Sequence, residues 1–147
     1  MRVILPPVLT LICLILMSLL RWLSPIAIIF PKPWSWLGIL PICTGLMVGL
    51  SGVYQFRKAK TNIRPFREAD TLVMSGIFRF TRNPMYFGIA LLLAGVWVLL
   101  GALSPVIGII VFVVVADRWY IQVEEAMLSE KFGPALEEYR ARVRRWI

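Results

Sequence analysis

What constrains this chain most is where its charges are missing. Residues 3–20 are 18 consecutive uncharged positions, residues 34–56 form a second uncharged run, and a third continues without a charge from residue 83 to residue 116. A helix of about 20 apolar residues crosses a hydrocarbon layer about 30 Å thick, so runs of this length read as membrane spans. Composition agrees, since 59% of the residues are hydrophobic and only 16% charged, far from a soluble norm. The expectation is one all-α integral membrane domain covering residues 1–147.

The excess of 16 Lys and Arg over 8 Asp and Glu gives a net charge of +8. In so apolar a chain this charge suits the anionic headgroups of a lipid bilayer, not nucleic acid. There is no histidine, which removes His-ligated metal sites and His-dependent triads, and no metal is expected. Cys13 and Cys43 both lie inside apolar runs and read as reduced packing residues. Arg21-Trp22 stands where a signal-peptide cleavage site would have to be, so residues 3–20 read as a retained span.

Topology follows from the charges. Pro6 and Pro7 fall in the first turn of the first span, where a missing amide donor costs little. The apolar run 26–30 is too short to cross, so residues 21–33 read as an interfacial loop, followed by Trp34 and Trp36 as an aromatic belt. Gly45, Gly49 and Gly52 share one face of the second span and are expected to let a neighbouring helix approach closely. Residues 57–82 hold seven of the sixteen basic residues, with Pro65 and Gly76 as helix breakers, and belong in water. A single helix through 83–116 would set the basic residues on its two sides in opposite compartments, whereas a hairpin at 101–105 sets them in one. Four spans are therefore expected, at about residues 3–20, 34–56, 84–100 and 105–123, with a basic cytoplasmic loop 57–83 and a cytoplasmic tail 124–147. Fourteen of the sixteen basic residues then lie inside, with Arg21 and Lys32 outside. Ser104 as N-cap and Pro105 as first helical residue would open the fourth span. The location this describes is a bacterial inner membrane with both ends cytoplasmic.

The fourth span continues by helical spacing through residues 117–125, with Asp117, Tyr120 and Glu124 on one face. Asp117 and Arg118 sit within the hydrocarbon, either as a structural ion pair or facing a wet interior. Phe132-Gly133-Pro134 reads as a helix stop and restart. Residues 135–146 then place Leu136, Tyr139, Val143 and Trp146 opposite Arg140, Arg144 and Arg145, the pattern of a basic amphipathic helix on a membrane surface.

Two polar groupings face one compartment at one depth: Arg79, Arg82, Asn83 and Tyr86 entering the third span, and Glu124 and Glu125 leaving the fourth. A short turn between the spans would make them neighbours. Ionisable groups at a membrane border are a functional site by default.

The run Gly76-Ile77-Phe78-Arg79-Phe80-Thr81-Arg82-Asn83-Pro84-Met85-Tyr86-Phe87-Gly88, with Glu124-Glu125, Phe132-Gly133, Tyr139 and Arg142-Val143 after it, resembles the isoprenylcysteine carboxyl methyltransferase and phospholipid methyltransferase superfamily of small membrane enzymes. The likeness covers residues 61–146. It implies an S-adenosylmethionine-dependent methyltransferase with a pocket at the cytoplasmic interface. Carried over residue by residue, Arg82, Asn83, Pro84, Tyr86, Gly88, Glu124, Tyr139 and Arg142 would hold the cofactor, and Glu124, Glu125 and Arg118 would serve the reacting groups. The acceptor implied is lipophilic or small and membrane-permeant: an isoprenylcysteine-like carboxylate, a phospholipid amine or a thiol. Many relatives have His where this chain has Asn83, and a tyrosine where it has Leu136. The turn before the glutamates holds Tyr120 and Ile121, where isoprenylcysteine enzymes would carry a base. Two other readings remain at this point, an NADPH-dependent membrane reductase of the sterol-reductase type and a small non-enzymatic membrane protein.

Overall fold

A computed structural model describes residues 5–61 and 70–147. The expectations for Arg2, for the start of the first span and for Pro65 lie outside the described residues. The architecture is an all-α helical bundle. Among the described residues six α-helices follow one another, α1 (Pro6–Leu23), α2 (Ile39–Lys58), α3 (Pro84–Leu100), α4 (Val106–Val115), α5 (Gln122–Phe132) and α6 (Pro134–Arg142). A 3-10 turn, Trp34–Gly38, runs into α2, and a second, Gly76–Arg79, precedes α3. A π-helical segment, Ala116–Ile121, joins α4 to α5. Three stretches of the described residues are long and apolar enough to cross a membrane, Pro6–Leu23, Trp34–Lys58 and Val106–Phe132, and α3 is a shorter apolar helix.

The described residues form two compact units, one within Met1–Leu46 and Ile89–Val115, the other within Met47–Gly88 and Ala116–Ile147. In the first, α1 packs on α4, and Gly108 is the point of closest approach: a β-carbon there would overlap Met17. Gly38 and Gly95 play the same part between the start of the second span and α3, each facing the other's carbonyl oxygen. Cys13, Met17, Leu93 and Phe112 are wholly buried, while Leu11, Ile12, Ile15 and Leu19 stand exposed along α1. An apolar outer face of this kind is stable only against lipid, so the helices identify an integral membrane protein.

The end of this unit where α3 passes into α4 is closed by hydrogen bonds. Gly101, at φ +73°, accepts from Ile29 N–H at 2.8 Å and Phe30 N–H at 3.1 Å, and Leu103 N–H donates to Ala27 O at 2.9 Å. Arg21 Nε donates to Leu100 O at 2.8 Å, covering one of the carbonyls that a helix end leaves open. Ser104 does not cap a helix as expected. Its hydroxyl donates to Leu20 O at 3.3 Å, and α4 begins at Val106 through tight bonds to Leu103, Ser104 and Pro105 carbonyls.

The second unit has its own core, in which Val73, Phe78, Leu136, Tyr139 and Val143 are buried together against Phe56, Leu128 and Phe132. Phe56 meets Phe78 edge-on at 5.0 Å. Gly133 takes φ +47° and ends α5, and Pro134 opens α6, as the Phe-Gly-Pro triplet predicts. The tail departs from expectation. The helix stops at Arg142, Val143 is extended, and Leu136, Tyr139 and Val143 pack inside the unit instead of facing a membrane surface. Extended Val143 lets the chain leave the helix axis, so Arg144, Arg145 and Trp146 are not on an α-helical wheel at all.

The glycine face of the second span also differs in detail. A side chain at Gly52 would touch Pro84 and Met85, and Gly49 has open space around it. Close packing along this span is therefore seen at Gly52 and, in the first unit, at Gly38 of the preceding 3-10 turn, and Gly45 is buried.

Candidate functional site

Every residue described next belongs to the second unit. Its geometry starts from the π segment. An α-helix turns about 100° per residue, and a π turn accommodates roughly one extra residue, so the downstream face is set back by about 100°. On a regular helix Asp117 would align with Glu124. Across the π segment it aligns instead with Glu125, and one guanidinium reaches both: Arg145 donates to Asp117 Oδ1 at 3.1 Å and to Glu125 Oε2 at 2.7 Å.

Glu125 is the centre of a cluster. Arg82 Nη1 lies 2.9 Å from its Oε1, Arg145 Nη2 2.7 Å and Arg140 Nη2 3.6 Å from its Oε2. Arg140 also donates to the Glu125 carbonyl at 3.3 Å and to Glu137 at 2.6 Å. The Glu125 side chain is only 13% exposed and that of Arg82 only 14%. Burial lowers the Arg82 pKa, with Glu125 opposing the shift, whereas hydrogen bonds to Glu125 hold Arg145 firmly protonated. Three cations around one carboxylate leave donors over. Among the described residues, Arg82 Nε and Nη1 and Arg140 Nε are buried without a hydrogen-bond acceptor, the ion pair of Arg82 with Glu125 being close but poorly aligned. A buried donor left unmatched costs about 1–3 kcal/mol, which an anionic ligand would recover.

The tail forms one wall. Residues 143–147 run as a non-helical strap beside 81–83: Arg82 N–H donates to Arg144 O at 3.1 Å, and Thr81 Oγ1 and Asn83 Nδ2 donate to Arg145 O at 3.3 and 3.1 Å. Asn83 N–H in turn donates to Thr81 Oγ1 at 3.1 Å. Trp146 Nε1 donates to Asp117 Oδ1 at 3.1 Å, the same oxygen that Arg145 holds.

Beside this lies a second grouping. Tyr86 OH donates to Glu124 Oε1 at 2.7 Å, and its ring stacks on Tyr120 at 5.9 Å with 25° between the planes. Pro84 and Gly88, each two residues from Tyr86 and so on the opposite face of α3, are buried.

The residues singled out from sequence thus separate. Arg82, Tyr86, Glu124 and Glu125 come together, with Pro84 and Gly88 behind Tyr86. Asn83 adjoins them but spends its side chain on the strap. Tyr139 donates its hydroxyl to Phe78 O at 2.6 Å inside the core, where burial pushes its pKa up to about 12. Arg142 pairs with Glu138 on the exposed side of α6, away from the cluster. Arg118 is exposed and makes no ion pair among the described residues, and Asp117 is paired with Arg145 instead. Arg140, Arg145 and Trp146 were read as one side or the other of a surface helix. Nothing in residue spacing could have placed them, because the strap is held mainly through backbone carbonyls.

Comparison with known proteins bears on this arrangement. A family model described as phospholipid methyltransferase matches residues 33–135, well over half of the chain and the whole of the segment from Arg82 to Glu125. An uncharacterized protein of Haemophilus influenzae is 35% identical over 63 residues, 43% of this chain and 100% of that protein. No solved structure matches. This match, over a chain with apolar spanning helices, assigns it to the phospholipid methyltransferase family, the S-adenosylmethionine-dependent methyltransferases of membranes.

Proposed function

We propose that the cluster around Glu125 holds the amino-acid end of S-adenosylmethionine while the protein methylates a lipophilic acceptor drawn from the bilayer. The enzyme class and cofactor follow from the family; the assignment of residues is our reading. The observation that carries it is the unmatched buried donors of Arg82 and Arg140, which fit a carboxylate that the described residues do not supply. Glu125 suits the adjoining ammonium group. Glu124 and Tyr86 suit the ribose hydroxyls, and the stacked pair Tyr86 and Tyr120 offers an aromatic surface to the adenine. Pro84 and Gly88 back this pocket from the far face of α3. Arg118, exposed and outside the cluster, belongs on the acceptor side.

When bound, the cofactor supplies a methyl group on a sulfonium for in-line displacement by the acceptor's nucleophile. The protein's share is to hold both reactants in line and keep water out. Arg82 and Arg140 fix one end of the cofactor, and the Tyr86–Glu124 hydrogen bond fixes the neighbouring side chains in one arrangement before anything binds. The acceptor is an isoprenylcysteine-like carboxylate, a phospholipid amine or a thiol.

The topology that best serves this reading has four spans, with α3 and α4 as a hairpin and both chain ends in the cytoplasm. Purified protein in detergent should bind S-adenosylhomocysteine in calorimetry at or below millimolar concentration, and Arg82→Ala should weaken that binding. Absence of binding by the unaltered protein would remove the cofactor reading. Incubation of membranes with methyl-labelled S-adenosylmethionine and identification of the labelled product would decide the acceptor.

A further inference from the structure

Arg145 lies beyond the segment that the family model matches, yet it pairs with two carboxylates of the cluster, Asp117 and Glu125. Its three nitrogens all donate: Nε to Glu125 Oε1 at 3.4 Å, Nη2 to Glu125 Oε2 at 2.7 Å and Nη1 to Asp117 Oδ1 at 3.1 Å. Its carbonyl is the acceptor for Thr81 and Asn83. One residue therefore joins the π segment, the first turn of α5 and the approach to α3.

We infer that Arg145 is a positioning residue for methyl transfer, a tie that fixes the direction of Glu125 and holds the strap 143–147 against the cofactor site. The inference rests on the reading of that site as the S-adenosylmethionine pocket. The planar guanidinium is needed because it meets a carboxylate with two parallel donors and still has a third for Asp117, which an ammonium group cannot do in fixed directions. Without it, Glu125 keeps Arg82 and Arg140 as partners, so its charge stays balanced. What it loses is the bidentate contact that sets the plane of the carboxylate. The contact depends on the π segment, since only there do Asp117 and Glu125 lie within one side chain's reach. Asn83 supports the same tie from outside, holding the strap through the backbone of Arg145.

Asp117 offers a test that does not touch the cofactor. Arg145→Met, Arg145→Lys, Asp117→Asn and the double variant Asp117→Asn/Arg145→Met are compared for S-adenosylhomocysteine affinity by calorimetry, for thermal unfolding and for amide exchange in residues 143–147. Arg145→Met should weaken affinity by about ten- to hundredfold, the order set by a charge-assisted hydrogen bond. Exchange in the strap should rise, with the protein still folded at the assay temperature. Arg145→Lys should recover part of the affinity and Asp117→Asn should lose part. The double variant should be no weaker than Arg145→Met alone, because both changes break one tie. Affinities unchanged in Arg145→Met, or losses in Asp117→Asn and Arg145→Met that simply add, would overturn the inference. So would a lowered unfolding temperature at unchanged affinity, the signature of a purely structural role. If the unaltered protein binds no S-adenosylhomocysteine, the pocket reading fails first; raised exchange in the strap of Arg145→Met would then still report the tie itself.

Discussion

Arg82 and Arg142 are both arginines of the resembling motif, and the fold gives them opposite weight. Arg82 is buried against Glu125, and Arg142 meets Glu138 where both side chains are about two-thirds or more exposed, at 73% and 67%. An exposed pair of that kind contributes about 0–1 kcal/mol. Arg142→Ala is therefore expected to leave both unfolding temperature and cofactor affinity close to those of the unaltered protein, while Arg82→Ala weakens S-adenosylhomocysteine binding by about tenfold or more. Side-by-side calorimetry checks the pair, and equal losses in both would contradict the placement of Arg142. Tyr139 separates stability from binding. Removing its hydroxyl leaves the buried Phe78 carbonyl without its donor, so Tyr139→Phe should cost about 1–2 kcal/mol in a denaturant or thermal assay and leave affinity unchanged. Arg82 and the glutamates were legible in the sequence because charges at the end of an apolar run have few places to go. Arg145 was not. Its role arises only once Val143 turns extended and the backbone, which carries no residue-specific signal, pairs with 81–83.

Among the elements, the spans were easy to find and their packing was not. The length of an uncharged run is a property of the sequence alone, and each of the three stretches long and apolar enough to cross a membrane overlaps such a run. Which glycine touches which helix depends on rotation about each axis: Gly52 of the expected face meets Pro84 and Met85, Gly49 meets nothing, and Gly38 meets Gly95. Gly95→Ala should therefore destabilise by about 1–3 kcal/mol through overpacking against the Gly38 carbonyl. Gly49→Ala, with open space at its β-carbon, should be neutral or slightly stabilising in a helix. Thermal unfolding of both variants in one detergent tests the contrast. The π segment was the other illegible element, since a helical wheel assumes 3.6 residues per turn throughout. Deleting Trp119, an exposed residue inside it, should restore an α-helical register and swing Glu125 about 100° away from Asp117. Loss of cofactor binding with helical content retained by circular dichroism is the expected result.

For the molecule as a membrane protein, the proposed four-span arrangement puts all charges of the site in one compartment. A fluorescent reporter linked to either end should be bright, and a periplasm-dependent phosphatase at the same ends inactive, if both ends are cytoplasmic. The reverse at one end would exclude the hairpin. The strap carries a genetic consequence as well. A stop codon replacing Arg145 would leave every spanning helix in place, since the last of them ends at Phe132. It nonetheless takes away the guanidinium that bridges Asp117 and Glu125, the carbonyl that holds Thr81 and Asn83, and the indole on Asp117. Such an allele should behave as a null for methylation while its product still accumulates in the membrane.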